Sequence, residues 1–136
     1  MIENVPPAKA WGALQSDPQA QLVDVRTDVE WAYVGVPDLA AIGKQAVLIP
    51  WQMYPSMQVN PDFVDALKKT GFTPEHRIYF LCRSGVRSLA AAEAMRQAGY
   101  PHVYNVADGF EGQVDTDGHR GAASGWKAEG LPWRQR

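Results

Sequence analysis

Short apolar runs alternate with helical segments along most of this chain, and this order constrains the fold more than any other feature. The runs cover residues 21–25, 46–49, 77–81 and 102–106. Their length and their β-branched and aromatic residues predict buried strands. Strands that alternate with helices form a parallel sheet covered on both faces. We therefore predict an α/β domain of three layers, in which a mainly parallel sheet lies between two layers of helices.

Capping and stop residues place the helices around these strands. We predict helices over 8–15, from Thr27 onward, from a cap at Asn60-Pro61 to Gly71, over 88–98, and one last turn at 126–130. The segments 35–45 and 108–125 are rich in glycine, proline or charge and are predicted to be loops.

The charge balance limits the classes of partner. Thirteen basic and fifteen acidic residues among 136 give a net charge of −2. Binding to a nucleic-acid backbone needs a basic surface, so nucleic acid is not expected as the main partner, although two clustered arginines can still bind a small anion. No apolar run approaches the ~20 residues that span a membrane, and the start lacks the pattern of a secretory signal. We expect a cytoplasmic protein without membrane contact.

The chain contains one cysteine, Cys82. An intramolecular disulfide and a multi-cysteine metal site are therefore excluded. His76, His102 and His119 are not at the spacing of metal ligands, so we expect neither a metal nor a cofactor. The length of 136 residues fits a single domain over 1–136.

Residues 78–88 read Ile-Tyr-Phe-Leu-Cys-Arg-Ser-Gly-Val-Arg-Ser, and they form the candidate site. They place Cys82 between the end of a buried strand and the start of a helix, where main-chain N–H groups and the positive helix end favour an anion. Such a field stabilises a thiolate, so Cys82 is the candidate nucleophile. The candidate anion-binding residues follow it directly: Arg83, Ser84, Gly85, Val86, Arg87 and Ser88.

A purely structural role for Cys82 is the simpler alternative, because cysteine is often a small buried hydrophobe. Apolar packing does not require two arginines and a glycine within the next five residues. The composition of residues 83–87 therefore favours chemistry over packing.

Several motifs resemble one known family. Cys-Arg-Ser-Gly-Val-Arg at 82–87 resembles the six-residue active loop of the single-domain rhodaneses. Other similar motifs follow in the family's order: Leu-Val-Asp-Val-Arg at 22–26, Glu30-Trp31, an alanine-rich helix ending at Tyr100, Val-Tyr-Asn-Val at 103–106, Gly-Phe-Glu-Gly at 109–112, and Trp126 with Gly-Leu-Pro at 130–132. The resemblance covers about residues 5–133. It implies a rhodanese-like α/β/α domain with a central, mainly parallel sheet of five strands.

Two segments depart from the family pattern. Residues 33–39 lack the histidine of the family's Gly-His-Ile-Pro-Gly-Ala stretch, and residues 113–124 resemble an insertion before the closing helix. We predict that Trp51, Met53 and Tyr54 build the entrance to the site instead, with Trp51 as a pocket wall.

The resemblance implies an enzyme similar to thiosulfate sulfurtransferase. The Cys82 thiolate would take the outer sulfur of a donor such as thiosulfate, sulfite would leave, and the resulting persulfide would pass its sulfur to cyanide or a thiol. Arg83 and Arg87 would orient the donor. The implied partners are a small anionic sulfur donor and a thiol acceptor, which is a small molecule or a protein.

Three other functions use a similar loop. A tyrosine-type phosphatase places its arginine six positions after the cysteine, whereas here the spacing from Cys82 to Arg87 is five. Arsenate reduction usually needs further thiols. A non-catalytic rhodanese module that binds proteins commonly lacks the cysteine.

Three residues outside the loop have predicted supporting or structural roles. Asp24 and Arg26 are predicted to form a structural ion pair at the strand ends near the active loop. Glu30 is predicted to be a surface or helix-capping charge.

Overall fold

A computed structural model describes residues 2–135. The strands are β1 (Glu3–Val5), β2 (Ala20–Asp24), β3 (Val36–Pro37), β4 (Val47–Leu48), β5 (Gln52–Met53), β6 (Gln58–Val59), β7 (Arg77–Leu81), β8 (Val103–Val106) and β9 (Trp133–Arg134). The helices are α1 (Pro7–Ser16), α2 (Asp28–Tyr33), α3 (Phe63–Lys68) and α4 (Val86–Gln97), and a 3-10 turn covers Ala40–Ile42.

Five parallel strands form the central sheet in the order β1-β8-β7-β2-β4. β7 lies in the middle, and its register with β2 runs from Ala20 opposite Arg77 to Asp24 opposite Leu81. The carboxyl ends of these two strands are therefore level, and the residues that follow them lie side by side. The prediction of an α/β domain with a five-stranded, mainly parallel sheet is confirmed.

Side chains of the central strands alternate between two cores, as the pleat of a strand requires. Ile78 and Phe80 face the core beneath α3 and α4, whereas Tyr79 and Leu81 face the core beneath α1. Trp126 completes the second core from the C-terminal segment. This arrangement gives the three predicted layers and buries β7 on both faces.

Helix boundaries differ from the prediction at four places. Asn60 does not cap α3, because residues 61–62 form a turn and the helix begins at Phe63 after Asp62. α3 also ends at Lys68, before the predicted stop at Gly71. α4 begins at Val86, two residues before Ser88, because Gly85 turns the chain directly into the helix. Residues 126–130 form hydrogen-bonded turns rather than a regular helix.

The sequence did not predict β1, β3, β5, β6 or β9. β1 pairs with β8 at the edge of the central sheet, and β5 and β6 form a small antiparallel hairpin. β9 pairs with β3 and ties the C-terminal segment to the loop after α2. No helix within residues 2–135 is both long and apolar enough to cross a membrane.

Candidate functional site

Cys82 follows β7 and lies at the start of α4. Gly85 adopts a positive φ of 107°, a conformation that favours glycine, and it turns the chain so that α4 begins at Val86. The Gly85 N–H donates to Cys82 Sγ at 3.1 Å, and Ser88 Oγ lies 3.2 Å from the same sulfur. The cysteine is only 1% exposed. The loop therefore folds back over the sulfur and presents an N–H donor to it.

Helix α4 also favours negative charge at the Cys82 sulfur. α4 is twelve residues long, so its N-terminal N–H groups carry the partial positive charge of a helix dipole. A thiolate placed there is stabilised relative to one in an apolar core. The local geometry at Cys82 is therefore compatible with a nucleophilic sulfur, and that role stays a prediction.

Arg87 is held by a bidentate ion pair with Glu30. Its two terminal nitrogens donate to the Glu30 carboxylate at 2.6 and 2.9 Å. Burial by itself raises the pKa of Glu30, but the hydrogen bonds and charge of Arg87 outweigh it, and the pKa lies below its ordinary value of 4.5. Hydrogen bonding to Glu30 likewise raises the pKa of Arg87.

Glu30 also caps α2, as the sequence predicted. Thr27 accepts a hydrogen bond from the Glu30 N–H, and the Glu30 carboxylate accepts one from the Thr27 N–H at 3.2 Å. One carboxylate therefore fixes both the start of α2 and the last arginine of the active loop. The second role was not predicted, because it joins residues 57 positions apart.

Arg83 is the exposed arginine of the loop. It borders a cavity of about 440 Å³ beside the active loop. The cavity is lined by Glu30, Val34, Gln52, Met57, Arg83, Arg87 and Glu111. Two arginines and two glutamates thus share its wall, so its formal charges balance.

The segment 108–112 braces the active loop from the other side. The N–H of Phe110 donates to the Cys82 carbonyl at 2.8 Å, and those of Glu111 and Gly112 donate to the Arg83 carbonyl at 3.0 and 3.1 Å. A Cβ on Gly109 would collide with the carbonyl oxygen of Cys82. Glycine is thus required at 109 for the two segments to lie in contact.

The residues of 113–124 support this brace in turn. Arg120 donates to the Gly112 carbonyl at 2.7 Å, and the Gly121 N–H donates to the Glu111 carbonyl at 2.7 Å. Gln113 lies near the loop, with its amide 3.5 Å from the Ser84 carbonyl. Of the other loop residues, Val86 is 76% exposed and Ser84 is half-buried.

Asn105, at the end of β8, belongs to the site and was not predicted. Its Oδ1 lies 2.5 Å from Ser88 Oγ, and its Nδ2 donates to the Gly85 carbonyl at 3.0 Å and to Asn4 Oδ1 at 2.8 Å. The sequence could have pointed to it, because a polar residue among the apolar residues of a buried strand needs hydrogen-bond partners.

Asp24 and Arg26 form the expected buried ion pair, with 2.7 Å between Arg26 Nη2 and Asp24 Oδ2. Both side chains are fully buried, and the Arg26 guanidinium lies 4.3 Å from the centre of the Phe110 ring. The pair therefore supports the segment that braces the loop, and neither residue lines the cavity.

Trp51 does not form a wall of this cavity. Its ring packs edge-on against Phe63 at 5.2 Å between centroids, next to the core beneath α3. Gln52 and Met57 of the β5–β6 hairpin take the position predicted for Trp51. Within residues 2–135, no group of three or more His, Cys, Asp or Glu side chains could hold a metal ion.

Known proteins with the same architecture place this geometry in a family. Residues 4–136 match the family model described as the STR4 middle domain. An uncharacterised protein of Rickettsia conorii is 39% identical over 134 residues, which is 98% of each chain. The crystal structure of Rv0390 from M. tuberculosis is similar at a TM-score of 0.89 and 46% identity, again over 98% of each chain.

A more distant relative is named as an enzyme. The thiosulfate sulfurtransferase GlpE of Actinobacillus succinogenes is 27% identical over 128 residues, which is 94% of this chain and 86% of that one. The strand order, the position of Cys82 and these similarities agree: the chain belongs to the STR4 middle-domain family and is a rhodanese-like domain.

Proposed function

We propose that this protein is a sulfurtransferase that carries a sulfane sulfur on Cys82. The observation that carries the proposal is the position of Cys82 Sγ at the end of the central strand and the start of α4, where the Gly85 N–H donates to it at 3.1 Å. Negative charge on a sulfur at this place is favoured both by the N–H and by the helix dipole.

In the first half-reaction, the Cys82 thiolate attacks the outer sulfur of thiosulfate. A new S–S bond forms, the S–S bond of thiosulfate breaks, and its electron pair leaves with sulfite. The Cys82 persulfide keeps one negative charge on its outer sulfur, so the same donors that favour the thiolate also favour the intermediate.

In the second half-reaction, cyanide or a thiolate attacks the outer sulfur of the persulfide. The S–S bond at Cys82 breaks, and the thiolate is restored together with thiocyanate or an acceptor persulfide. One cysteine is sufficient, because no step requires a resolving thiol. This agrees with the single cysteine of the sequence.

The two arginines of the loop have different tasks in this proposal. Arg83 is exposed at the cavity and meets the anionic donor. Arg87 donates both of its terminal N–H groups to Glu30, and it therefore acts mainly by holding the loop and by its charge. The spacing of five from Cys82 to Arg87 and the relative named as a thiosulfate sulfurtransferase both favour sulfur over phosphate as the transferred group.

The proposal is tested by assaying transfer from thiosulfate to cyanide, with thiocyanate as the product, beside hydrolysis of an aryl phosphate at the same pH. We expect thiocyanate to form with turnover and the aryl phosphate to remain intact. Hydrolysis of the phosphate ester without formation of thiocyanate would favour a phosphatase and overturn the proposal.

A further inference from the structure

Two buried polar side chains, Ser88 and Asn105, connect Cys82 to the Gly85 carbonyl of the active loop. Ser88 Oγ lies 3.2 Å from Cys82 Sγ and 2.5 Å from Asn105 Oδ1. Ser88 is 0% and Asn105 is 3% exposed, so neither side chain exchanges its partners freely with bulk water. A serine hydroxyl has one proton to donate, and here two acceptors lie within reach of it.

The orientation of the Asn105 amide decides which acceptor receives that proton. A backbone carbonyl only accepts hydrogen bonds, so the group 3.0 Å from the Gly85 oxygen must be the NH₂ of Asn105. The amide oxygen then faces Ser88. Two oxygens 2.5 Å apart need a proton between them, and the amide oxygen has none. The proton of the Ser88 hydroxyl therefore points to Asn105.

We infer that Ser88 accepts a hydrogen bond from the Cys82 thiol, instead of donating one to the thiolate, and that Asn105 is the positioning residue that sets this direction. The chain of donors runs from Cys82 S–H to Ser88 Oγ and from Ser88 O–H to Asn105 Oδ1. Within residues 2–135, two groups lie within hydrogen-bond distance of Sγ, and of these only the Gly85 N–H is left to donate a hydrogen bond to the thiolate.

This direction favours the two states in which Sγ carries no charge. In the free thiol, every member of the chain has a partner. In the persulfide, which rests on the proposed function, the negative charge lies on the outer sulfur and the Ser88–Asn105 bond remains in place. Only the free thiolate gains nothing from Ser88.

The inference is tested by measuring the rate of alkylation by iodoacetamide against pH, which reports the thiolate of the single cysteine. In Ser88→Ala the thiol loses its acceptor, so we expect the midpoint of the profile to fall by about half to one pH unit, the shift that corresponds to one ordinary hydrogen bond. A midpoint that rises or stays in place would overturn the inference, because it would show a hydroxyl that donates to the thiolate or does not act on it.

Asn105→Ala tests the positioning role. Without the amide oxygen, the Ser88 proton turns to the thiolate. The midpoint of the alkylation profile is therefore expected to fall when Asn105→Ala is made in the wild type. It is not expected to fall further when the same change is added to Ser88→Ala. An equal fall in both backgrounds would contradict action through Ser88. Ser16→Ala, a serine near the end of α1 that bonds only to Gly12 among the described residues, is the matched control. Thermal melting of each variant confirms that it is folded, and Ser88→Ala alone decides the sign if Asn105→Ala does not fold.

The readout is independent of sulfur transfer. A wild-type protein that produces no thiocyanate would overturn the proposed function, whereas the direction of the shift in Ser88→Ala would still decide the inference. A rise of the midpoint together with normal transfer would overturn the inference alone.

Discussion

At the scale of single residues, the proposed chemistry depends on one sulfur atom. Cys82 is buried at the end of β7, and no other thiol exists in the chain to replace it. Its hydrogen-bond partners come from its own loop and from α4, so the site is built mainly from consecutive residues. This explains why a short motif conveys so much of the function.

Cys82→Ser is expected to abolish the transfer of sulfur from thiosulfate to cyanide while leaving the fold intact. A serine hydroxyl is of similar size but forms no persulfide. Thiocyanate production and thermal melting measure the two effects separately. More than a trace of remaining activity would show that Cys82 is not the sulfur carrier.

Arg83→Ala and Arg87→Ala are expected to differ in their effect on stability. Arg83→Ala removes the proposed contact with the anionic donor, so kcat/KM for thiosulfate is expected to fall about ten- to a hundredfold. Arg87→Ala removes a charge near the donor and the hold on the loop, so kcat/KM is expected to fall as well. Arg87→Ala additionally leaves the Glu30 carboxylate without its partner, so its melting temperature falls below that of Arg83→Ala. Equal melting temperatures would contradict a stabilising role of the Arg87–Glu30 ion pair. An unchanged kcat/KM in Arg83→Ala would show that the donor binds elsewhere.

At the scale of elements, two braces hold the active loop. One is Glu30 of α2, which caps its own helix and grips Arg87. The other is the segment 108–112, whose N–H groups bind the carbonyls of Cys82 and Arg83. The loop is thus positioned from both sides by groups that are far from it in sequence.

The first brace predicts a dependence of stability on pH. The pKa of Glu30 is lowered by folding, so its contribution is complete above its ordinary value of 4.5 and is lost as the pH falls through the lower folded value. The difference in melting temperature between the wild type and Glu30→Gln is therefore expected to be large at neutral pH and to shrink in acid below 4.5. A difference that stays constant with pH would show that the charge of Glu30 does not stabilise the fold.

The second brace predicts a large effect of Gly109→Ala and a small one of Gly118→Ala. Both glycines have a positive φ, 60° at Gly109 and 80° at Gly118. Alanine is unfavourable in this conformation, so each variant is expected to lose about 1–2 kcal/mol of the free energy of unfolding. Only at 109 does the new Cβ meet the backbone of Cys82 and Arg83, which adds about 1–3 kcal/mol of overpacking and displaces the loop. Denaturant melts and the transfer assay measure the effects. Equal losses in both variants would contradict the close contact of the two segments.

At the scale of the whole molecule, the parallel sheet places the site. β7 is buried between β2 and β8, so the loop that follows it lies among the carboxyl ends of its neighbours, where parallel sheets form their sites. Asp24 is the last residue of β2, Arg26 follows that strand, and Asn105 lies in β8. The fold thereby supplies polar support from both sides of Cys82.

The sequence predicted the layers, four of the central strands and the active loop, because local apolar runs and consecutive residues determine these features. It did not predict β1, in which only Val5 is buried, or the pairing of β3 with β9, which joins two-residue strands from distant parts of the chain. The bond from Glu30 to Arg87 was missed for the same reason. Trp51 was assigned to the cavity because residues 33–39 depart from the family pattern, whereas its apolar ring packs on Phe63 next to the core.

The central claim is most directly tested by the mass of the peptide that contains Cys82. Trypsin cuts after Arg77 and Arg83, so residues 78–83 are released with the only cysteine of the chain. After the protein is treated with thiosulfate and its thiols are capped, we expect this peptide to gain one sulfur atom, and to lose it when cyanide is added before capping. A folded protein whose Cys82 peptide gains no sulfur would contradict the account.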